Sequence, residues 1–153
     1  MRIVLQRVKQ SEVRVDGRRV GAIERGYLIF LGIGLNDEAE DAEWLIQKLI
    51  KSRLFEIEEG DDRELLSIKE VGGAFLVISQ FTLFAKMSKG TRPSYSRAMP
   101  SAEAKILYER FCSRLRECSE QPVATGVFGA DMEISAIHNG PVTLILDSQS
   151  RDL

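Results

Sequence analysis

The chain has 153 residues, of which 44% are hydrophobic and 29% charged, an ordinary composition for one domain that buries its own core without staples. Lys and Arg number 21 against 23 Asp and Glu, a net charge of −2, so no global pull toward nucleic acid or an anionic membrane exists and any anionic partner must meet a local patch. The longest apolar run, Tyr27 to Leu35, is cut by glycines and is far shorter than the roughly 20 residues of a membrane helix.

The chain opens Met1-Arg2-Ile3-Val4-Leu5-Gln6-Arg7, without the apolar core of a signal peptide, so a cytoplasmic location is expected. Strands are predicted over 2–8, over 11–15 and 18–23 about the turn pair Asp16-Gly17, and over Tyr27–Gly34. From Asp37 to Ser52, Ala42, Leu45, Ile46, Leu49 and Ile50 recur at three and four residues, an amphipathic helix with Asp37 and Glu40 placed as a capping box. Strands follow over Arg53–Ile57 and Phe75–Phe84, the second apolar enough to be covered on both faces.

Residues 86–100 follow neither period and hold four basic residues, Gly90 and two prolines; so long a loop in a compact domain points to function. Ser101 is placed to cap a second helix, whose Ala104, Leu107, Tyr108, Phe111, Cys112, Leu115 and Cys118 form one stripe. Strands near 122–126, 131–138 and 142–147 complete a mixed α/β (α+β) fold: a largely antiparallel, barrel-like sheet with two packed helices, in one domain spanning 1–153. Cys112 and Cys118 lie six helical positions apart, about 9 Å, which exceeds the roughly 7 Å reach of a disulfide. With His138 as the only histidine and no Cys-x-x-Cys pair, neither a metal nor a cofactor is expected.

Three segments could carry chemistry. In Ser79-Gln80-Phe81-Thr82-Leu83, alternation projects Gln80 and Thr82 together where a buried strand emerges, although polar residues at a strand end are common and no Gly-x-Ser-x-Gly elbow surrounds them. Gly126-Val127-Phe128-Gly129-Ala130-Asp131-Met132 permits close backbone approach but lacks a dinucleotide fingerprint, and reads as a turn or bulge. His138-Asn139-Gly140-Pro141-Val142-Thr143 reads as a turn between two strands; a lone histidine beside it is more often incidental than a base, and no Ser-His-Asp triad is assigned.

Together, Ser79-Gln80-Phe81-Thr82-Leu83, Lys89-Gly90-x-Arg92-Pro93-Ser94, Gly126-x-Phe128-Gly129-Ala130-x-Met132 and Asn139-Gly140-Pro141-Val142-Thr143 resemble the D-aminoacyl-tRNA deacylases over essentially the whole chain. One departure is that His138-Asn139 stand where the family usually has Asn-Asp before Gly-Pro. The resemblance implies a homodimer that hydrolyses the ester joining a D-amino acid, or glycine, to the terminal adenosine of tRNA. It also implies that Gly140 and Pro141 form a cis peptide entering the partner's site to reject L-residues, with Arg7 bracing their carbonyls. Phe128 and Met132 would wall the substrate pocket.

An aminoacyl ester is already reactive, so positioning and oxyanion stabilisation outweigh the need for a strong nucleophile. Main-chain N–H groups near Phe81 and Thr82 are the expected oxyanion donors, with Ser79 and Gln80 holding strand and substrate. The alternative, attack by the Thr82 hydroxyl, lacks a visible base. Lys86, Lys89, Arg92 and Arg97, with Tyr95 available for stacking, are the expected tRNA contacts, weighed evenly against a solvated loop. A related deacylase acting on L-alanyl-tRNA, and a non-catalytic RNA-binding dimer of the same fold, are the competing expectations.

Overall fold

The computed structural model describes residues 1–57, 65–88 and 90–152. Strand β1 (Arg2–Val15) runs through the Lys9-Gln10 step where two strands are expected, because it is the shared strand of three pairings and its exposed polar step is taken up by a register shift against the last strand. Its first half pairs antiparallel with β3 (Gly26–Gly32), and its second half with β2 (Arg18–Ile23). Along its other side β1 pairs with β8 (Glu133–Asp147), which pairs with no other strand among the described residues.

The remaining pairings are parallel: β6 (Ala74–Ser79) lies beside β3, and β7 (Val123–Thr125) beside β6. The sheet is thus antiparallel around β1 and parallel on the side that carries the cleft. It curls toward closure where β2 meets β7, and Gly21 is needed there because a Cβ on it would lie 2.6 Å from the Thr125 carbonyl. A small hairpin of β4 (Arg53–Glu56) and β5 (Leu65–Ser67) stands apart from this sheet.

Strands β3 and β6 are buried on both faces, as their continuous apolar runs require. Tyr27, Ile29, Leu31, Phe75 and Val77 face the helices α1 (Ala39–Lys51) and α2 (Ser101–Ser119), whereas Leu28, Leu76 and Ile78 fill the inside of the curled sheet with Val8 and Val13. Phe111 and Leu115 of α2 meet Leu45, Ile46 and Leu49 of α1 in the first of these cores.

Three local expectations are corrected. Glu38, not Asp37, caps α1, its amide donating to Asp41 Oδ2 at 2.9 Å; Asp37 instead accepts the Gly34 amide and pairs with the Met1 ammonium, each at 2.5 Å. Pro100 holds the N-cap position of α2, so Ser101 is its first helical residue and caps nothing. Finally, β6 stops at Ser79, and Phe81–Phe84 form a 3-10 turn rather than continuing the strand. The turn is possible because Gly32 and Gly34 leave room for Leu83 and Phe84; a Cβ on Gly34 would sit 2.7 Å from the Phe84 ring.

Candidate active site

The carboxyl ends of β3 and β6 open into a cleft of about 650 Å³. One wall is Ser79, Gln80 and Phe81; the opposite wall is Phe128 to Met132, and the start of α2 with Tyr108 closes the back. Phe128 packs against Tyr108 with ring centroids 5.5 Å apart, and Gly126 admits Met132, whose sulfur would lie 2.5 Å from any Cβ there. Phe128 and Met132 therefore sit where a pocket wall was expected, and 126–132 holds the expected turn, closed by the Ala130 amide on the Val127 carbonyl at 3.2 Å.

The wall formed by the strand end owes its shape to hydrogen-bond bookkeeping. The Gln80 amide makes the last cross-strand bond, to Leu31 O at 2.8 Å, after which Leu83 and Ala85 donate back to Gln80 and Thr82 at 3.3 and 3.0 Å. Among the described residues the amides of Phe81 and Thr82 donate to no protein acceptor. They are the orphan donors that the first positions of any helical turn leave free, here beside a cleft. Gln80 Nε2 donates to Thr82 Oγ1, which ties the hydroxyl to an amide and not to a base, and Thr82 is not among the cleft-lining residues.

Sequence reasoning missed Tyr108 and Asp131 as cleft residues. Tyr108 passed as one of a helical core stripe, which it also is: its hydroxyl donates to the Val77 carbonyl at 2.8 Å beneath the cleft floor. Burial raises the Tyr108 phenol well above its usual range and pushes the neighbouring Cys112 thiol up to about 11, so both stay neutral. Cys112 and Cys118 are both free thiols.

Loop 86–100 borders the cleft through Tyr95, whose ring meets Phe81 edge-on at 4.8 Å. It is fastened at both ends: Lys86 and Ser94 exchange backbone bonds of 2.8 and 3.0 Å, and Leu35 and Met99 tie its far side to the end of β3. Lys86, Arg92 and Arg97 are exposed on it, while Lys89 lies outside the described residues.

The second predicted constellation lies elsewhere in the chain. Gly140 and Pro141 are not a turn between two strands but part of β8, where residues 139–142 bulge opposite the single residue Arg7. The Gly140-Pro141 peptide is cis, and both residues are exposed. Gly140 adopts φ +141, and a Cβ on it would lie 2.5 Å from the Val142 nitrogen, so only glycine fits. Arg7, with 2% exposure, donates from Nε to the Asn139 carbonyl at 2.9 Å, from Nη1 to Leu54 O, and from Nη2 to Glu56 Oε1 at 3.0 Å. It therefore braces the bulge through Asn139, one residue before the expected carbonyls. A main-chain acceptor needs no particular side chain at 139, which accommodates the His138-Asn139 departure. Within one chain neither Arg7 nor Gly140-Pro141 lines the cleft.

A cleft beside unpaired main-chain donors at a strand end is an arrangement suited to stabilising a developing oxyanion. Residues 4–147 match the family model described as D-Tyr-tRNA(Tyr) deacylase. A protein named D-aminoacyl-tRNA deacylase from Geobacter sulfurreducens (strain ATCC 51573 / DSM 12127 / PCA) is 47% identical over 151 residues, covering 99% of this chain and 97% of that one. One of the same name from Thermotoga petrophila (strain ATCC BAA-488 / DSM 13995 / JCM 10881 / RKU-1) is 47% identical over 148 residues, 97% of each chain. Among solved structures, the "c-Myc DNA Unwinding Element Binding Protein" superposes with TM-score 0.89 at 35% identity, over 96% of this chain and 98% of that one. The structure described as "Structural Analysis of a probable eukaryotic D-amino acid tRNA deacylase" superposes with TM-score 0.80 at 20% identity, over 95% and 97%, and shows the shared fold. The chain belongs to the D-Tyr-tRNA(Tyr) deacylase family and is, as a deacylase, a hydrolase of an ester bond.

Proposed function

We propose that this protein hydrolyses the ester joining a D-amino acid, or glycine, to the 3′ adenosine of tRNA, releasing the free amino acid and tRNA and so clearing mischarged tRNA in the cytoplasm. The observation that carries the reading is the pair of unpaired amides at Phe81, on the wall of the cleft, and Thr82, the next residue of the same turn. Water adds to the ester carbonyl, and the negative charge that gathers on its oxygen is met by these two donors. They are fixed in advance and pay no reorganisation as the charge develops. The tetrahedral intermediate then collapses, breaking the bond to the ribose oxygen, which takes the proton given up by the attacking water, while Ser79 and Gln80 hold the aminoacyl group against the strand end. Phe128 and Met132 supply the apolar wall.

The same reading makes the active form a homodimer in which Gly140-Pro141 of one protomer enters the partner's cleft. Support comes from the exposure of both residues, from their absence from the lining of their own chain's cleft, and from the exposed apolar residues Ile137, Leu144 and Ile145 along β8. An L side chain directed at that braced backbone would collide with it, whereas hydrogen at the same position would not. Glycine carries no side chain and passes. D side chains point away from the selector, so many are accepted.

Exposed Lys86, Arg92 and Arg97, with Lys89 from the same loop, meet the phosphates of the acceptor end, and the Phe81–Tyr95 pair offers a face to an unpaired base. Incubation with D-Tyr-, L-Tyr-, Gly- and L-Ala-tRNA tests the reading. Loss of the ester from D-Tyr- and Gly-tRNA with L-Tyr-tRNA spared is expected. Preferential hydrolysis of L-Ala-tRNA, or binding of tRNA without turnover, would replace it with one of the two competing assignments.

A further inference from the structure

We propose that Arg2 is a positioning residue for the oxyanion-binding turn, an inference that rests on the main-chain reading above. The turn Phe81–Phe84 is held upstream by the Gln80 amide on Leu31, but at its downstream end no backbone amide among the described residues donates to the Leu83 carbonyl. Arg2 fills that role: its Nη1 donates to Leu83 O at 2.9 Å, and its guanidinium lies 5.3 Å from the centroid of the Phe84 ring. A cation at the carbonyl end of a helical turn meets both the orphan acceptor and the negative end of the peptide dipoles.

The guanidinium is itself fixed. Its Nε and Nη2 reach Asp147 Oδ2 at 2.8 and 2.7 Å, and the Asp147 carboxylate, 5% exposed, is oriented further by the Gln149 amide on Oδ1 at 3.0 Å. Two edges of one planar fork are therefore used at once, one toward β8 and one toward the turn, a geometry that a lysine ammonium does not reproduce. Because the turn has only four residues, displacing Leu83 and Phe84 displaces the Phe81 and Thr82 amides with them. Misplacing positioned groups by about 1 Å can cost on the order of 100-fold in rate. Arg2 does not line the cleft, so its effect falls on the rate of the chemical step and not on binding.

The test is the steady-state hydrolysis of D-Tyr-tRNA by the wild type, Arg2→Met and Arg2→Lys, together with the melting temperature of each. Arg2→Met retains the apolar stem and is expected to lower kcat about tenfold or more with KM within about twofold of wild type; Arg2→Lys is expected to recover part of the loss. A folded Arg2→Met protein with wild-type kcat overturns the proposal, as does a loss carried by KM alone. Should Arg2→Met fail to fold, Arg2→Lys decides: reduced kcat at an unchanged melting temperature supports the positioning role, and unchanged kcat refutes it. A wild type inert toward D-Tyr-tRNA would overturn the underlying reading, whereas an active wild type with insensitive Arg2 variants overturns this inference alone.

Discussion

The strand-end turn at Phe81–Phe84 and the bulge at 139–142 both present main-chain groups, but they are held in opposite ways. The turn follows a strand buried on both faces, and its amides are left free because helical turns always leave them free. The bulge stands on the edge of the sheet, exposed, and its backbone is fixed chiefly by one buried side chain, Arg7, and by a glycine for which no other residue fits. On the proposed reading, the turn should tolerate changes to its own side chains and depend on the contacts that hold its backbone, such as Arg2, whereas the bulge depends on Gly140 and Arg7.

The largest expected effect follows from Gly140. A Cβ there lies 2.5 Å from the Val142 nitrogen at a φ of +141. The Gly140→Ala chain must move its backbone to fit, and a displaced selector should lower D-Tyr-tRNA turnover by about 100-fold or open the cleft to L-Tyr-tRNA. Measuring both substrates with one folded variant separates the two results. Wild-type activity with intact discrimination would show that the bulge selects nothing.

Arg7 comes next. Replacing it with Met keeps the stem but abandons the carbonyls of Asn139 and Leu54; Glu56 is exposed and resolvates easily. A stability loss of about 2–4 kcal/mol in urea unfolding is expected from the two stranded acceptors. A further drop of about tenfold in D-Tyr-tRNA turnover is expected under conditions where the protein is fully folded. Arg7→Lys should lie between. If turnover were unaffected in folded protein, the arginine would be a fold element only.

The two regions were also unequally legible in the sequence. Gly140-Pro141 and Arg7 stood out by resemblance, yet their contact through Asn139 did not, because a four-residue bulge opposite one residue leaves no period to read. At the cleft the motif was legible but its shape was not. Phe81, Leu83 and Phe84 extend the apolar run of β6, and only Gly32 and Gly34, about fifty residues earlier, make space for a turn instead. Local alternation lost to a tertiary contact. The loop of 86–100 was readable from its composition, since four cations and two prolines fit no regular element, while its fastening through Lys86, Ser94 and Leu35 is carried by backbone groups that composition does not encode. Tyr108 hid among core residues because one side chain serves both the α2 stripe and the cleft floor.

A smaller effect should follow from removing the loop's charge. Replacing Lys86, Lys89, Arg92 and Arg97 together by Gln leaves the backbone bonds of Lys86 and Arg97 in place, so the fold should survive. If each meets a phosphate, the slope of log KM against log salt should become shallower by up to about three. The rate at saturating tRNA should change little. A slope equal to that of wild type would place the tRNA on another surface.

The smallest effect should come from Thr82, and it bears most directly on how the turn works. The Thr82 hydroxyl accepts a hydrogen bond from Gln80 and, among the described residues, makes none with a carboxylate, imidazole or amine, so on the proposed reading it is not the attacking group. Its amide, by contrast, is untouched when the side chain is cut back. Thr82→Ala loses one neutral hydrogen bond that steadies Gln80, worth about 1 kcal/mol, and kcat for D-Tyr-tRNA should fall by no more than about fivefold. Loss of activity to the background rate, in a protein with a wild-type melting temperature, would transfer the chemistry from the main chain to the hydroxyl. It would also remove the contrast between the two regions, because the cleft would then hang on a single side chain just as the bulge hangs on Arg7.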